Sequence, residues 1–420
     1  MRELLQSVSR TTPGRLPGLL IACALMASTA DAGPREQAKR IHDRLAGVPA
    51  SVAVLDDMTN DINGAGDGNG DFDGSPVGAA YTAMNNPSFY NVTLKNFAMP
   101  WTNRDQTVFA PLNDYVATFI GMVRDNVPFN TALSADILYT GSGSGIPPYS
   151  VSSNAHYEAL ESQGVNLRDN LVQGTQSATT GIDSGATAGL MTTRAAARAF
   201  FIAGTNRAMF RFTLMNHMCH DLEQVADITR APDRIRQDVS RSPGGDSRIF
   251  LNNCIGCHSG MDPMAQAFAY YDYAFDPDND PEGDAGRMTY NAPGMLDAVT
   301  GTRVHSKYFN NANNFKPGFV TTDDRWDNYW RVGQNKLLGW SSAPGFTGSG
   351  YGAKSLGSEL ANSAAFARCQ VEKVFRAVCF REPNDSADRL QVNNMITSFI
   401  SSNYNLKQPF AESAVYCSGS

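Results

Sequence analysis

The chain has 420 residues, of which 42% are hydrophobic and 18% charged, enough apolar material for a sizeable core and too much for a wholly disordered chain. Its formal charge of −7 makes it a poor candidate for broad, non-specific nucleic-acid binding, which needs a basic face, and argues against docking on an anionic membrane. Length alone allows about two or three domains.

The first residues read as an address. Arg2, Arg10 and Arg15 form a positive segment, Leu19–Ala27 an apolar one, and Ala30-Asp31-Ala32 a small-x-small cleavage pattern. Residues 1–32 are therefore expected to be a secretory signal peptide cut after Ala32. The apolar run is about half of the roughly 20 residues that a spanning helix needs. Leu20-Ile21-Ala22-Cys23 also resembles a lipoprotein box, but the apolar run continues past Cys23, so the soluble periplasmic or secreted product is preferred over anchoring at Cys23. Losing the leader leaves a net charge of −8. No later segment is apolar enough to span a bilayer.

The pattern along the mature chain predicts a mainly α, multi-helical protein with long ordered loops. Ala38, Ile41, Leu45 and Val48 recur at near-helical spacing. Residues 61–74, rich in Gly, Asn and Asp, are a loop. Within it Asn69-x-Asp71-x-Asp73-Gly74 resembles half of a calcium loop, but Ala80 stands where the bidentate Glu belongs, so calcium is a weak expectation. Val108 to Val123 fits an amphipathic helix ending near Asn126, and Pro128-Phe129-Asn130 starts another with Leu133, Ile137 and Leu138 inward. Helices are also expected over 186–203, 205–222, 358–378 and 386–401. Pro232, Pro243, Gly244 and Gly245 suggest a boundary. The resulting division is a helical domain over 33–235, a cytochrome c-like haem-binding region over 236–350, and a helical segment over 351–420 packed on it.

Seven cysteines are present: Cys23, Cys219, Cys254, Cys257, Cys369, Cys379 and Cys417. Cys23 leaves with the leader. Cys219, Cys369, Cys379 and Cys417 make an even set suited to disulfides in an exported chain. Cys369 and Cys379 share a predicted helix about 15 Å apart, too far to bridge. Each then pairs with Cys219 or Cys417; Cys219–Cys369 with Cys379–Cys417 is preferred, with little to separate it from the other option.

The remaining two lie in Cys254-Ile255-Gly256-Cys257-His258. Cys-x-x-Cys-His is the attachment sequence of c-type haem. Two thiols three positions apart can reach both vinyl groups of one porphyrin, and the adjacent imidazole can bind iron. Random placement of the cysteines and histidines would give such a match only about once in six hundred chains of this composition. A thioredoxin-like dithiol would need a βαβ setting, which is missing, and a zinc site would need a second ligand pair, whereas His305 is distant and alone. One motif implies one haem, with Cys254 and Cys257 as anchors and His258 as the iron ligand. The other axial ligand is open among Met295, His305 and His217; Met261 and Met264 are too close to loop over the ring. Asp276-Pro277-Asp278-Asn279-Asp280-Pro281-Glu282-Gly283-Asp284 is an acidic loop that suits calcium, solvent or a basic redox partner.

Cys254 to Pro263, with Phe268, Asp272 and Gly286-Arg287, resembles the planctomycete-type cytochrome c domain proteins. Leu360, Phe366, Cys369, Val374, Arg381, Phe399 and Tyr404 resemble that family's helical tail, and Pro128-Phe129, Leu133, Ala135-Asp136 and Tyr139 its upstream segment, so the likeness spans about 128–417. The resemblance implies an exported monohaem cytochrome of mostly helical fold. Electron transfer to an unidentified redox partner protein is the leading expectation. A haem-dependent peroxidase or oxygenase with an open or weakly held sixth iron site is the alternative, and a binding module with structural haem the third. Because the mass far exceeds that of a minimal carrier, the alternatives stay open.

Overall fold

The computed structural model describes residues 33–65 and 72–419; the predicted leader with Cys23, and Asn69-x-Asp71 of the first Asp/Gly loop, lie outside the described residues. The described chain is mainly helical, with three antiparallel two-stranded ribbons. These pair Leu138–Gly141 with Leu171–Gly174, Tyr271–Ala274 with Arg287–Tyr290, and Arg325–Asp327 with Ser349–Tyr351. No helix among the described residues is long and apolar enough to cross a membrane.

Local chemistry moves several of the expected boundaries. The first predicted helix is two, Pro34–Ala46 and Val52–Ile62, because Gly47 adopts φ +68° and ends the first one; Val48 falls in the connection. The helix expected from Val108 begins at Asp114, where the Asn113 side chain accepts a hydrogen bond from Val116 N. Val108 and Phe109 lie outside it, and Phe109 is 92% exposed, so their helical spacing was coincidental. Leu133, Ile137 and Leu138 are buried as expected, but Leu133 is in a turn, Ile137 in the irregular segment after it and Leu138 at the start of a strand rather than on a helix. The Ala-rich stretch is a short 3-10 turn followed by the Arg194–Phe201 helix, whose first amides donate to the buried Asp114 carboxylate. The helix expected over 358–378 is broken at Asn362 and Ser363 into Gly352–Ala361 and Ala364–Cys379; the Ser363 hydroxyl caps the second by accepting from Phe366 N. Ser386–Ser401 falls where predicted, and Lys407–Cys417 was not anticipated.

One apolar core takes residues from all three of the predicted segments, from Leu45 and Phe119 through Phe268 to Phe375 and Phe410. At its centre the Arg207–Met218 helix packs against both Ile255–Ala265 and Ala364–Cys379. Two disulfides brace this arrangement. Cys219–Cys369 ties the end of the Arg207–Met218 helix to Ala364–Cys379, and Cys379–Cys417 ties that helix to the last one. This is the preferred pairing of the two that helix geometry had left open.

Candidate functional site

The Cys-x-x-Cys-His segment begins in an unusual turn. Asp246 caps a short helix over Ser247–Ile249, the backbone widens to a π-helical turn over Phe250–Cys254, and a regular α-helix runs from Ile255 to Ala265. Single π turns recur at functional sites because they shift the register of the side chains that follow. Cys254 and Cys257 are free thiols, each partly buried, three positions apart and so on one helix face. Cys257 Sγ lies 3.5 Å from the Leu222 carbonyl. Burial pushes its thiol pKa up, with Glu223 and Asp221 adding to the effect.

The helix is seated closely. Gly256 O accepts from Asp227 N at 3.0 Å, and the buried Ser259 hydroxyl donates to Asp227 O at 3.1 Å. A Cβ on Gly260 would stand 1.9 Å from Nε1 of the fully buried Trp330, so only glycine fits there. Trp330 also packs on Phe210 of the Arg207–Met218 helix.

His258 is anchored from below. Its Nδ1 is 3.1 Å from Asp262 Oδ1, one helical turn on, and Asp262 is fully buried. Arg207 grips that carboxylate with two hydrogen bonds, Nε to Oδ1 at 2.7 Å and Nη2 to Oδ2 at 2.9 Å. The same guanidinium holds Asp238 at 2.7 and 2.9 Å. Arg236, 2% exposed, donates its backbone N–H to Asp262 Oδ2 at 3.3 Å and stacks on Tyr308. The buried Asp262 and Arg236 are thus balanced by the partly buried Arg207 and Asp238, as buried charges must be. Burial by itself would raise the Asp262 carboxyl pKa; Arg207, and behind it His258, reverse that and hold it well below the usual carboxylate range. Burial alone would likewise lower Arg207, and its two carboxylates more than offset this.

Exposed apolar side chains flank the motif helix. Leu251, one turn before Cys254, is 53% exposed, and Ile228, beside Gly256, is 65% exposed. A cavity of about 490 Å³ opens at Leu251, lined also by Ile235, Phe250 and Phe315, with Arg241 stacked on both phenylalanines; Ile228, the two thiols and His258 are not part of its lining. Exposed large apolar side chains on the turns that flank free thiols are of the kind a covalently held porphyrin would cover. Cys254, Cys257 and His258 are the residues that would hold it.

The residues proposed for the opposite axial position lie in other surroundings. His217 is buried, with Nε2 2.7 Å from the Tyr115 hydroxyl and its ring against Trp101 and Phe366. His305 is tied by Nε2 to the Tyr270 carbonyl at 3.2 Å and faces Asp297 and Asp272. Met295, half exposed, borders a cleft with Tyr149, Thr192 and Arg287. The aromatic run after the motif is core: Phe268 and Tyr271 pack on Phe201, and Tyr271 also on Tyr290. In the acidic loop, Asp276 accepts from Asp278 N and Asn279 N, and Asp280 from Asp284 N and Ala285 N, so both carboxylates shape the loop. Among the described residues no group of three His, Cys, Asp or Glu side chains is placed to hold a metal ion.

Sequence reasoning included Asp262 in the family-like stretch without giving it a role, and missed Arg207, Asp238 and Arg236 as parts of this site. Asp262 had a local signal, standing four residues after His258 on the same helix face. The others had none, since Arg207 and Asp238 are brought in from 55 and 31 positions away along the chain from Asp262 and Arg207 respectively. The chain matches no protein-family model, no curated protein and no solved structure.

Proposed function

We propose that the protein is an exported monohaem c-type cytochrome that carries electrons, with Cys254 and Cys257 as thioether anchors and His258 as the iron ligand. The observation that carries this reading is a contrast between cysteines. Four form two disulfides, as suits an oxidising compartment, while the pair in Cys-x-x-Cys-His is free and followed by an imidazole already held by one nitrogen. The exposed Leu251 and Ile228, and the resemblance of 254–263 to planctomycete-type cytochrome c domain proteins, support the same reading. When bound, the haem supplies a one-electron couple; the chain supplies attachment, orientation and burial. The acidic loop at 276–284 offers negative charge to a basic redox partner.

A second reading is favoured by one observation. His217, His305 and Met295 are each set in surroundings of their own, which suits an iron with an open sixth position and hence peroxidase or oxygenase chemistry. One experiment separates the two. The full chain is produced in cells competent for cytochrome maturation, and its mass and both oxidation-state spectra are recorded. Added porphyrin mass and a low-spin spectrum indifferent to carbon monoxide support the carrier; a high-spin spectrum that responds supports the enzyme. A colourless product, or haem retained covalently by the double variant Cys254→Ala/Cys257→Ala, would refute the attachment.

A further inference from the structure

We propose that Asp262 is the positioning residue of this iron site: its carboxylate selects which nitrogen of His258 faces the metal and biases bound iron toward the ferric state. The inference rests on the haem reading above. With Nδ1 3.1 Å from Asp262 Oδ1, the neutral imidazole carries its proton on Nδ1 and leaves the Nε2 lone pair for iron. The contact spans one turn of the helix that bears Cys257 and follows directly on Cys254, so ring orientation and the placement of the Cys257 thiol are set by one rigid element.

The acceptor is a carboxylate rather than a peptide carbonyl, and this makes the imidazole a more basic ligand. A more basic ligand favours the more highly charged iron. Arg207 donates to both oxygens of the carboxylate, while Asp238 shares the same guanidinium and limits how far Arg207 draws charge away from His258. Asp262 Oδ1 accepts from both Arg207 Nε and His258 Nδ1; Oδ2 accepts from Arg207 Nη2 and Arg236 N. Every atom of the carboxylate is therefore fixed, and rotation cannot release the imidazole without breaking the Arg207 fork.

The test compares midpoint potentials of the haem-loaded full chain as wild type, Asp262→Asn and Arg207→Lys. Asn keeps the shape and an acceptor oxygen but removes the charge. The expected result is a potential more positive by about 59 mV, equivalent to about a tenfold change in the imidazole's relative affinity for the two oxidation states. Lys keeps the net charge but loses the fork, leaving the carboxylate a stronger acceptor for His258, so the potential is expected to fall. Movement in opposite directions separates hydrogen bonding from a plain charge effect. An unchanged or more negative potential in Asp262→Asn overturns the inference. Should that variant fail to fold or to load haem, Arg207→Lys decides, and an unchanged or raised potential there overturns it. A wild type without covalent haem overturns the haem reading, and this inference with it; a haem-loaded wild type whose potential neither variant moves overturns this inference alone.

Discussion

The seat of the motif helix is tested most directly by Gly260→Ala. Two effects of opposite sign meet at this position. Alanine is favoured over glycine in a helix by about 1 kcal/mol, so on propensity alone the variant should be more stable. Against this, the new methyl would stand 1.9, 2.4 and 2.8 Å from Nε1, Cε2 and Cζ2 of Trp330. Real Cβ atoms do not approach heavy atoms so closely, and Trp330 is fully buried beneath Phe210, so the ring or the helix must shift. Overpacking of this kind costs about 1–3 kcal/mol, and an approach of 1.9 Å to a rigid, fully buried ring belongs at the upper end, which leaves a net destabilisation of about 2 kcal/mol after the propensity gain. Denaturant unfolding followed by circular dichroism measures it. The double variant Gly260→Ala/Trp330→Phe should recover part of the loss relative to the sum of the single variants, because the smaller ring opens the space the methyl needs. A Gly260→Ala protein as stable as wild type or more so, or strict additivity in the cycle, would show that the helix is not seated on Trp330 as described.

Two further outcomes are expected. Burial pushes the Asp324 carboxyl up to about 6, a backbone hydrogen bond and Arg303 only partly offsetting it. The folded chain thus holds a proton there that the unfolded chain, near 3.9, has lost; stability should fall as pH rises from about 4 to 6, and Asp324→Asn should remove that part of the slope and be the more stable at pH 7, as urea titrations across pH would record. For the disulfides, chain entropy predicts a loss of about 5 kcal/mol on removing Cys219–Cys369 and about 4 kcal/mol on removing Cys379–Cys417, since they close spans of 150 and 38 residues. Serine pairs at each site, compared by denaturant unfolding, check both the size and the order.

Ser386–Ser401 was legible because an Asp385 cap precedes an uninterrupted run without glycine or proline. The helix expected over 358–378 was legible in its inward face, since Ala367, Val371, Val374, Phe375 and Val378 are all buried, but not in its break, which depends on a Ser363 hydroxyl turning to cap rather than to solvent. Val108 and Phe109 misled because periodicity reports which faces could be buried, not which are, and nothing in the core reaches Phe109. At the site, the thiols and His258 were visible because covalent attachment demands a short, contiguous pattern.

What the amino-acid order determined alone is therefore what depends on neighbours: helix content, the even set of disulfide cysteines, and a five-residue motif suited to porphyrin attachment. Tertiary structure decided the rest. It joined Arg207, Asp238 and Asp262 beneath His258, chose Cys219–Cys369 with Cys379–Cys417, and set the three proposed axial partners in surroundings of their own. The physical reason is that a buried charge is tolerable only where distant segments bring it a partner, and that meeting is arranged by the packing of whole helices rather than by any local run of residues.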